Sequence, residues 1–341
     1  MTNKELSKLL GVSPATLSLV INNKPGLSQE MRSRVISDLS QMGYTHLIKT
    51  DCTSPQRRNI SFIVYKRSGE ILNSNPYFLL LMEGLEKNAM RHGCSITLHV
   101  IDKRDLDMSQ IDTINYSGSL GAIIFATEMF DDDLNFTREL QMPFLMLDNF
   151  FPYDEFDSVA INNEMGTYQA IRHLVDCGHT NIGYLKSSVN ISSFSERSNG
   201  FHRAASACGI TIAKENIYCI RNSEEGSYQD FGKILRGAPQ LPTAFVTDDD
   251  TLAIGVIRAL SEVGYTVPKD VSIIGFNDRP VCQICSPPLS SVRVSTDSLV
   301  YEAVELLMRR IHHSDRCLTP VKIRVSTTLV HRDSVRPLHE N

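Results

Sequence analysis

The chain has 341 residues, of which 42% are hydrophobic and 21% charged, and it carries a net charge of −5. This composition is typical of a globular protein, and the length suffices for more than one domain. Because no apolar run reaches 18 residues and the N-terminus lacks the pattern of a signal peptide, we expect a cytoplasmic protein with no membrane partner.

The first predicted element is a short helix at the N-terminus. Thr2 and Glu5 have the spacing of a capping box, in which a hydroxyl caps the first turn and a carboxylate reaches back to it. Leu6, Leu9 and Leu10 give the helix an apolar stripe. The glycine that follows supplies a tight turn, so a second helix can begin almost at once.

The second helix is predicted from Ser13 to about Asn22. Ser13 caps it, and Pro14 occupies the first helical position, where a missing N–H costs nothing. Its buried stripe consists of Leu17, Val20 and Ile21. A third helix, capped by Ser28, is predicted to bury Met31, Val35, Leu39 and Met42. In a helix-turn-helix unit of this kind the second helix enters the major groove of DNA, although three short amphipathic helices also fit a small all-α subdomain.

Charge favours the DNA-binding interpretation of this head. Residues 1–58 carry eight Lys and Arg residues against four Asp and Glu residues, a net charge of +4. Since the whole chain is −5, the remainder is −9. A basic head is attracted to DNA phosphates, whereas an acidic body is repelled by them. This charge distribution therefore fits a protein that binds DNA through its head.

The head resembles the lac repressor and galactose repressor family of bacterial transcription regulators. The similar stretches are Lys4–Ser18, Val20-Ile21-Asn22, Arg32-Ser33-Arg34-Val35 and Gly43-Tyr44. The resemblance implies that Pro14, Ala15 and Leu19 read bases. Our full set of predicted DNA contacts is Thr2, Lys4, Ser13, Pro14, Ala15, Thr16, Ser18, Leu19, Asn22, Lys24 and Arg34. Many members have arginine, the usual reader of guanine, where this chain has Leu19, so an operator sequence cannot be carried over.

Residues 45–58 are predicted to be a linker between the head, residues 1–44, and the body. Family members usually continue with Pro-Asn and Ala-x-x-Leu, a segment that forms a hinge helix on DNA and inserts leucines into the minor groove. This chain has threonines there, which are poor helix formers. A DNA-kinking hinge through Leu47 or Ile48 in a shifted register remains an alternative.

From residue 59 to 335, short apolar runs alternate with helical patterns. Strands are predicted at 60–65, 95–101, 121–126, 144–147, 182–185, 244–247 and 271–275, and helices at 78–91, 164–177, 195–208 and 251–263. Repeated βαβ units predict an α/β body with parallel sheets covered by helices on both faces. The resemblance implies the two-lobed fold of periplasmic sugar-binding proteins, with crossings near residues 160, 288 and 320. Lobe 1 would then comprise about 59–160 and 289–319, and lobe 2 about 161–288 and 320–335.

Polar residues follow several of these strands, at the ends where open α/β sheets bind ligands. The resemblance supports Asp148, Arg197, Asp249 and Asn277 as effector contacts, with Asn75, Tyr77 and Phe78 on the facing lobe. Carboxylates, amides and a guanidinium group pair with sugar hydroxyls, while an aromatic ring covers the apolar face of a sugar. We therefore predict a sugar or sugar derivative as effector. Its identity stays open, because Asn277 replaces a residue that is commonly aspartate.

These candidates also have structural explanations. Asp250 is predicted to cap the helix that follows it rather than to contact ligand, because an acid favours a helix N-terminus. Arg197 has Glu196 as a possible ion-pair partner. Asn75 and Tyr77 have the alternative of capping and packing their own helix.

No cofactor or metal site is predicted. The eight cysteines lack the spacing of a disulfide framework, which indicates reduced thiols. Cys282 and Cys285 form a C-x-x-C pair without a second pair or a suitably spaced histidine, so we assign them a structural role. The acidic run at 131–133 is interpreted as a helix start, and His312-His313 as a solvated helix end.

The predicted function is a sequence-specific transcription regulator, a repressor controlled by an effector bound between the lobes. As a homodimer it would read a nearly palindromic operator, since each head contacts one half-site. The alternatives are an α/β enzyme and a cytoplasmic sugar sensor without a DNA role. The chain lacks a G-x-G-x-x-G fingerprint, a phosphate-binding loop and a G-x-S-x-G elbow, so we predict that it is not an enzyme.

Overall fold

The computed structural model describes residues 3–21, 31, 34–36, 38, 39, 44, 58–71, 77–313 and 318–338. Contacts between residues divide the chain into two units, residues 1–58 and 59–341. The first unit contains the head, residues 1–44, and the predicted linker, and the second unit is the body; each is described by itself.

Most of the described residues of the head are helical. Helix α1 spans Asn3–Leu9 and α2 spans Pro14–Ile21, and residues 31, 34–36, 38 and 39 are also helical. Its core is formed by Leu6, Leu10, Leu17, Val20, Ile21, Val35 and Leu39. Leu9 and Met31, which we predicted to be buried, are 58% and 37% exposed. Leu6 and Leu10 are one turn apart and suffice to bury that side of α1, so Leu9 points elsewhere.

The first lobe of the body is built on a six-stranded sheet with the order β11-β5-β4-β3-β1-β2. Its strands are β1 (Arg58–Lys66), β2 (Cys94–Asp102), β3 (Ser119–Phe125), β4 (Phe144–Leu147), β5 (Asp157–Ile161) and β11 (Lys322–Val325). The helices of this lobe are α3 (Tyr77–Arg91), α4 (Met108–Asn115) and α10 (Thr296–His312). The central strands pair in parallel, as the βαβ pattern predicts.

The second lobe has a similar sheet with the order β12-β10-β9-β8-β6-β7. Its strands are β6 (Ile182–Ser187), β7 (Ile217–Ile220), β8 (Ala244–Thr247), β9 (Ser272–Asn277), β10 (Ser290–Val294) and β12 (Thr327–Val330). Its helices are α5 (Asn163–Asp176), α6 (Ser192–Ala207), α7 (Glu224–Arg236), α8 (Asp250–Glu262) and α9 (Val281–Ile284). All pairs within this sheet are parallel except β10 with β12.

The chain crosses between the lobes three times, at about residues 162, 295 and 326. The first crossing lies close to the predicted position, whereas 288 and 320 are too early. Strand β10 pairs with β9 and therefore still belongs to lobe 2, so the crossing comes after it. Strand β11 pairs with β5, which keeps the chain in lobe 1 through Val325.

Close packing of α5 on α6 sets the position of lobe 2 residues that face the other lobe. A Cβ atom on Gly200 of α6 would lie 2.8 Å from Glu164 Cα of α5, which is closer than real Cβ contacts. A glycine is therefore required for this approach of the two helices.

Within the described residues, no helix has the length and apolar character that a membrane span requires. Those same ranges contain no cluster of three or more His, Cys, Asp or Glu residues able to hold a metal ion. The six described cysteines are free thiols. The acidic run at 131–133 begins a 3-10 helix that extends to Glu139, and α10 ends at His312, next to exposed His313.

A buried ion pair ties α10 to the edge of the first sheet. Arg310 Nη2 donates to Asp157 Oδ1 at 2.7 Å and to the carbonyl oxygen of Thr319 at 2.7 Å. Asp157 is 3% exposed and also accepts the backbone N–H of Val321, the residue before β11. The pair therefore holds together three segments that are far apart in the sequence.

We predict that Arg310→Ala lowers the free energy of unfolding of the body by about 3 kcal/mol, because it leaves a buried carboxylate without its cation. Urea denaturation measures this loss. Arg309→Ala, at the exposed neighbouring position on the same helix, is the control and should change stability by less than about 1 kcal/mol. Equal effects of the two substitutions would contradict the role given to the buried pair.

Candidate functional site

Helix α2 presents the candidate DNA-contacting surface of the head. Ser13 Oγ accepts a hydrogen bond from the backbone N–H of Thr16 at 3.0 Å and so caps the helix, as predicted. Pro14, Ala15 and Ser18 are exposed, while Thr16 and Leu19 are partly exposed. Because these side chains are short or apolar, the helix can approach the floor of a groove closely.

The other predicted DNA contacts are described only in part. Thr2, Asn22 and Lys24 lie outside the described residues, as do the side chain of Lys4 in α1 and the linker between residues 45 and 57. Arg34 is exposed, and its Nε lies 3.9 Å from Asp38 Oδ2. An exposed pair at this distance is weak, so the guanidinium group is accessible to a phosphate.

A small cavity lies between the two lobes of the body, at the carboxyl ends of the strands. Its volume is about 30 Å³. Four predicted effector contacts line it together, namely Asp148, Arg197, Asp249 and Asn277. The remaining wall consists of Ile71, Thr127, Ile161, Ile191, Ser193, Phe194 and Asn222. The cavity is therefore lined by both polar and apolar side chains, as a small-molecule site requires.

Arg197, on α6, is 3% exposed and donates to three partners from different elements. Its Nε donates to Asn163 Oδ1 at 2.9 Å, Nη1 to the carbonyl oxygen of Asp248 at 2.5 Å, and Nη2 to Asn277 Oδ1 at 3.3 Å. The guanidinium group lies 3.7 Å from the ring centroid of Phe276. Arg197 is therefore not an ion-pair partner of its neighbour Glu196, the alternative that the sequence left open.

Asp148 and Asn277 have backbone conformations that point their side chains toward the cleft. Asp148 follows β4 and Asn277 is the last residue of β9, and both have positive φ angles, 65° for Asp148 and 105° for Asn277. A non-glycine residue in this region costs roughly 1–3 kcal/mol, and such strain concentrates at functional sites. Asp148 Oδ2 accepts a hydrogen bond from Thr127 Oγ1 at 2.6 Å, which connects the ends of β3 and β4.

Asp249 both lines the cavity and caps α8. Its Oδ1 accepts the backbone N–H of Thr251 at 2.8 Å, and its Oδ2 accepts Asn277 Nδ2 at 2.6 Å. The prediction that Asp250 is the cap is wrong, because Asp250 is the first helical residue and points into the lobe. Its oxygens accept the Ser291 hydroxyl at 2.6 Å and the backbone N–H of Arg279 at 2.9 Å.

Two buried carboxyl groups lie beneath the cavity. Burial raises the pKa of Asp248 to about 6, against the hydrogen bonds from the Tyr184 hydroxyl and the Ser187 backbone N–H. Burial, with a contribution from the neighbouring charge of Asp249, raises the pKa of Asp250 to about 7. The backbone of Gly275 passes so close to Asp250 that a Cβ atom there would overlap the carboxylate. Burial also raises the pKa of the Cys282 thiol, which agrees with a structural role.

Of the three effector contacts predicted on the facing lobe, only Phe78 has a described side chain. Asn75 lies outside the described residues, and Tyr77 begins α3 with its side chain undescribed. Phe78 stacks on Phe62 at a centroid distance of 6.1 Å and contacts Phe125 at the same distance, so it packs in the core of lobe 1. It is not among the residues that line the cavity. Its apolar surface is therefore used for packing rather than for covering a ligand.

One apolar contact closes the cleft across the two lobes. Ile71, in the loop after β1, packs against Ile191 and Phe194 of lobe 2. Glu128 holds this loop, since its carboxylate accepts the backbone N–H groups of Arg67, Ser68, Gly69 and Ile71 at 2.8–3.1 Å. A cavity of about 30 Å³ holds only about two water molecules. A ligand of sugar size can therefore enter only when the lobes separate and this contact opens.

A salt bridge joins the lobes beside the cavity. Glu196, next to Arg197 on α6, accepts two hydrogen bonds from Arg324 of β11, at 2.6 and 2.9 Å. The Arg324 guanidinium group lies 3.8 Å from the ring centroid of Phe150. Asn163, which binds Arg197 through its oxygen, donates to Glu196 through its nitrogen at 2.8 Å. Arg197 in the cavity and Arg324 near the third crossing are thus connected through Glu196, the neighbour of Arg197 on α6.

Two models of known families match the chain. The model described as bacterial regulatory proteins, lacI family, matches residues 2–46. The model described as a periplasmic binding protein-like domain matches residues 171–335. The first match covers the helical head, and the second covers most of lobe 2.

Individual proteins are similar over most of the chain. The HTH-type transcriptional repressor PurR of Actinobacillus pleuropneumoniae serotype 3 is 28% identical over 342 residues, 99% of each chain. A solved regulator from Enterococcus faecium with bound ribose is 25% identical, with a TM-score of 0.67 over 83% of this chain and 100% of that chain. The lac repressor dimer bound to operator and the anti-inducer ONPF is 20% identical, with a TM-score of 0.71 over 98% and 99%. These comparisons confirm the predicted fold class.

We predict that the buried carboxyl of Asp250 makes the body less stable as pH rises. Its pKa of about 7 in the fold lies above the ordinary unfolded value, so the stability linked to its proton is complete below about pH 4 and is lost as pH rises through about 7. Asp250→Asn removes this dependence. In urea titrations the free energy of unfolding of the variant, relative to that of the wild type, should therefore increase as pH is raised from about 5 to about 8. A difference that stays constant over this range would contradict the assignment.

Proposed function

The chain belongs to the lacI family of bacterial regulatory proteins, and we propose that it represses transcription as a homodimer whose operator affinity is set by a small effector in the interlobe cavity. It is a DNA-binding transcription regulator and its relatives are regulators rather than enzymes. One observation carries the proposal: a lacI-type DNA-binding head and a polar cavity between two lobes occur in the same chain.

We propose that α2 enters the major groove, with Pro14, Ala15 and Leu19 at the base edges. Their exposure on the N-terminal part of a capped helix supports this role. Ser13, Thr16 and Ser18 are placed to contact phosphates or fix the helix, and Thr2, Lys4, Asn22, Lys24 and Arg34 complete the proposed set. Because the target is chromosomal DNA, the proposed site of action is the cytoplasm.

Exposed apolar side chains support a homodimer. On the first lobe, Leu79 and Leu80 of α3 are 69% and 49% exposed, and Leu98 and Val100 of the edge strand β2 are 45% and 47% exposed. Apolar side chains clustered on an exposed helix and edge strand are typical of an interaction surface. A two-fold dimer formed through this surface would present two heads to a nearly palindromic operator.

The proposed effector is a sugar or sugar derivative. Asp148, Arg197, Asp249 and Asn277 supply acceptors and donors in the cavity, and Phe194 supplies an apolar ring. The ribose-bound regulator from Enterococcus faecium, which has the same fold, supports this class of ligand. Effector and operator would prefer different lobe arrangements, so each changes the affinity for the other by the same factor.

The salt dependence of DNA affinity tests the proposed role of the head. Arg34→Ala should weaken binding to every DNA sequence and reduce the slope of log affinity against log salt by about 1, because one phosphate contact is lost. Leu19→Gln should instead change the preferred bases and leave that slope unchanged. Operator fragments are first selected from genomic DNA, and affinities are then measured by electrophoretic shift over a range of salt concentrations. The role of α2 is refuted if Leu19→Gln leaves sequence preference as it is.

The change of operator affinity caused by the effector tests the proposed role of the cavity. A panel of sugars, nucleosides and sugar phosphates identifies the compound that changes operator affinity of the wild type. Arg197→Ala and Arg197→Lys should abolish this response and retain operator affinity, since lysine lacks the planar fork that binds three partners. Arg203→Ala, which removes an exposed ion pair on the same helix, is the control. A normal response of both Arg197 variants would overturn the effector site.

A further inference from the structure

The side chains of His173 and His331 meet on lobe 2. His173 Nε2 and His331 Nδ1 are 3.3 Å apart, and the two rings are inclined at 68°. His173 belongs to α5 and is half-buried, whereas His331 directly follows β12 and is exposed. We propose that these two nitrogens bind one zinc ion. The site is separate from the interlobe cavity, since neither histidine is among the described residues that line it.

The separation of the two nitrogens matches that of two ligands on one tetrahedral ion. Zn–N bonds of about 2.0–2.1 Å at the tetrahedral angle place the two nitrogens about 3.3–3.4 Å apart. An ion that holds its ligands at 90° requires a separation of about 2.9 Å for bonds of the same length. The alternative is a hydrogen bond between the two rings, for which 3.3 Å is long. The spacing therefore favours zinc.

The neighbouring groups leave these two nitrogens as the protein ligands. His179 is close by, but its ring nitrogens are bonded to a hydroxyl at 2.9 Å and to a backbone carbonyl at 3.1 Å. Cys177 Sγ lies 3.9 Å from His173 Nε2, whereas a sulfur and a nitrogen on one zinc ion are about 3.6 Å apart. Water therefore completes the coordination, and the exposure of His331 gives it access.

The local charge permits a divalent cation. Arg172, the residue before the first histidine, forms an ion pair with Asp176 at 3.0 Å. Arg332, the residue after the second, binds the carboxylate of Asp278 at 2.6 Å. Both neighbouring cations are thus neutralised by carboxylates. The exposed carboxylate of Asp176, one helical turn from the first histidine, also favours a nearby cation.

A zinc ion at this position would attach α5 to the end of β12. Gln169, one turn before His173, already binds Thr327 of β12 through two hydrogen bonds, at 3.0 and 3.2 Å. Asn163, at the start of the same helix, binds Arg197. Zinc therefore stabilises the packing of the helix that positions Arg197. Because the two histidines are 158 residues apart, the sequence contained no spacing that could indicate the site.

The first test measures zinc binding to the full-length protein after treatment with EDTA. Calorimetric titration with zinc chloride should show a site that His331→Ala weakens at least tenfold, because one of its two protein ligands is lost. His313→Ala, which removes an exposed histidine after α10, is the matched control and should bind zinc like the wild type. Equal zinc affinity of the wild type and His331→Ala would overturn the proposal.

The second test distinguishes zinc binding from a hydrogen bond between the rings. Zinc should raise the melting temperature of the wild type, since an ion that binds the native state stabilises it, and EDTA should reverse the rise. Magnesium, which prefers oxygen ligands, should have no effect. Cys177→Ser should keep the rise caused by zinc, whereas His331→Ala should lose it.

Three results of the second test would contradict the site. These are a wild type whose melting temperature does not respond to zinc, a rise that persists in His331→Ala, and a rise that is lost in Cys177→Ser. Neither test involves operator or effector. The zinc site can therefore fail while the proposed function stands, and the proposed function can fail while the zinc site stands.

Discussion

The interaction on which the cleft depends is the buried guanidinium group of Arg197. It comes from α6 and binds Asn163 of α5, the backbone of Asp248 after β8, and Asn277 at the end of β9. Asn277 in turn binds Asp249, which caps α8. A single side chain therefore fixes the relative position of two helices and two strand ends. The close approach of α5 and α6 at Gly200 keeps the group within reach of all three partners.

The same helix connects the cavity to the boundary between the lobes. Glu196 precedes Arg197 and binds Arg324, two residues before the third crossing, while Asn163 binds both Arg197 and Glu196. Arg197 is therefore linked to Arg324 of the other lobe through Asn163 and Glu196, so a ligand that shifts Arg197 acts on the contact between the lobes. Across the cleft, Ile71 seals the cavity through a loop held by Glu128. The Glu196–Arg324 salt bridge and the packing of Ile71 on Ile191 and Phe194 are thus two of the described contacts that hold the cleft closed.

The features of the site that depend on residues near each other in the sequence, or on the ends of predicted strands, could be predicted. The cap of α2 by Ser13 and the meeting of Asp148, Arg197, Asp249 and Asn277 follow from turn chemistry and from the parallel arrangement of strand ends. Asn222 was missed because β7, a strand of only four residues, was not among the predicted strands, although its run Ile217–Ile220 is apolar. Had that strand been recognised, the polar residue after it would have been a candidate.

Long-range contacts account for the remaining differences. Asp249 and Asp250 both precede the helical pattern in the sequence, and Asp250 is distinguished by contacts with Gly275, Arg279 and Ser291, which are distant in the chain. The pairing of β10 with β9 and of β11 with β5, which moved the second and third crossings, likewise depends on distant partners.

The most direct measurement is a thermodynamic cycle that couples cavity and head. The sugar is the compound of the panel that changes operator affinity. Its own affinity is measured by calorimetry for the free protein and for the operator complex, and operator affinity is measured with and without it. The account predicts that the two affinities change by the same factor, at least about fivefold, because both ligands act on one equilibrium between lobe arrangements. A sugar that binds equally well to the free protein and to the complex would contradict it.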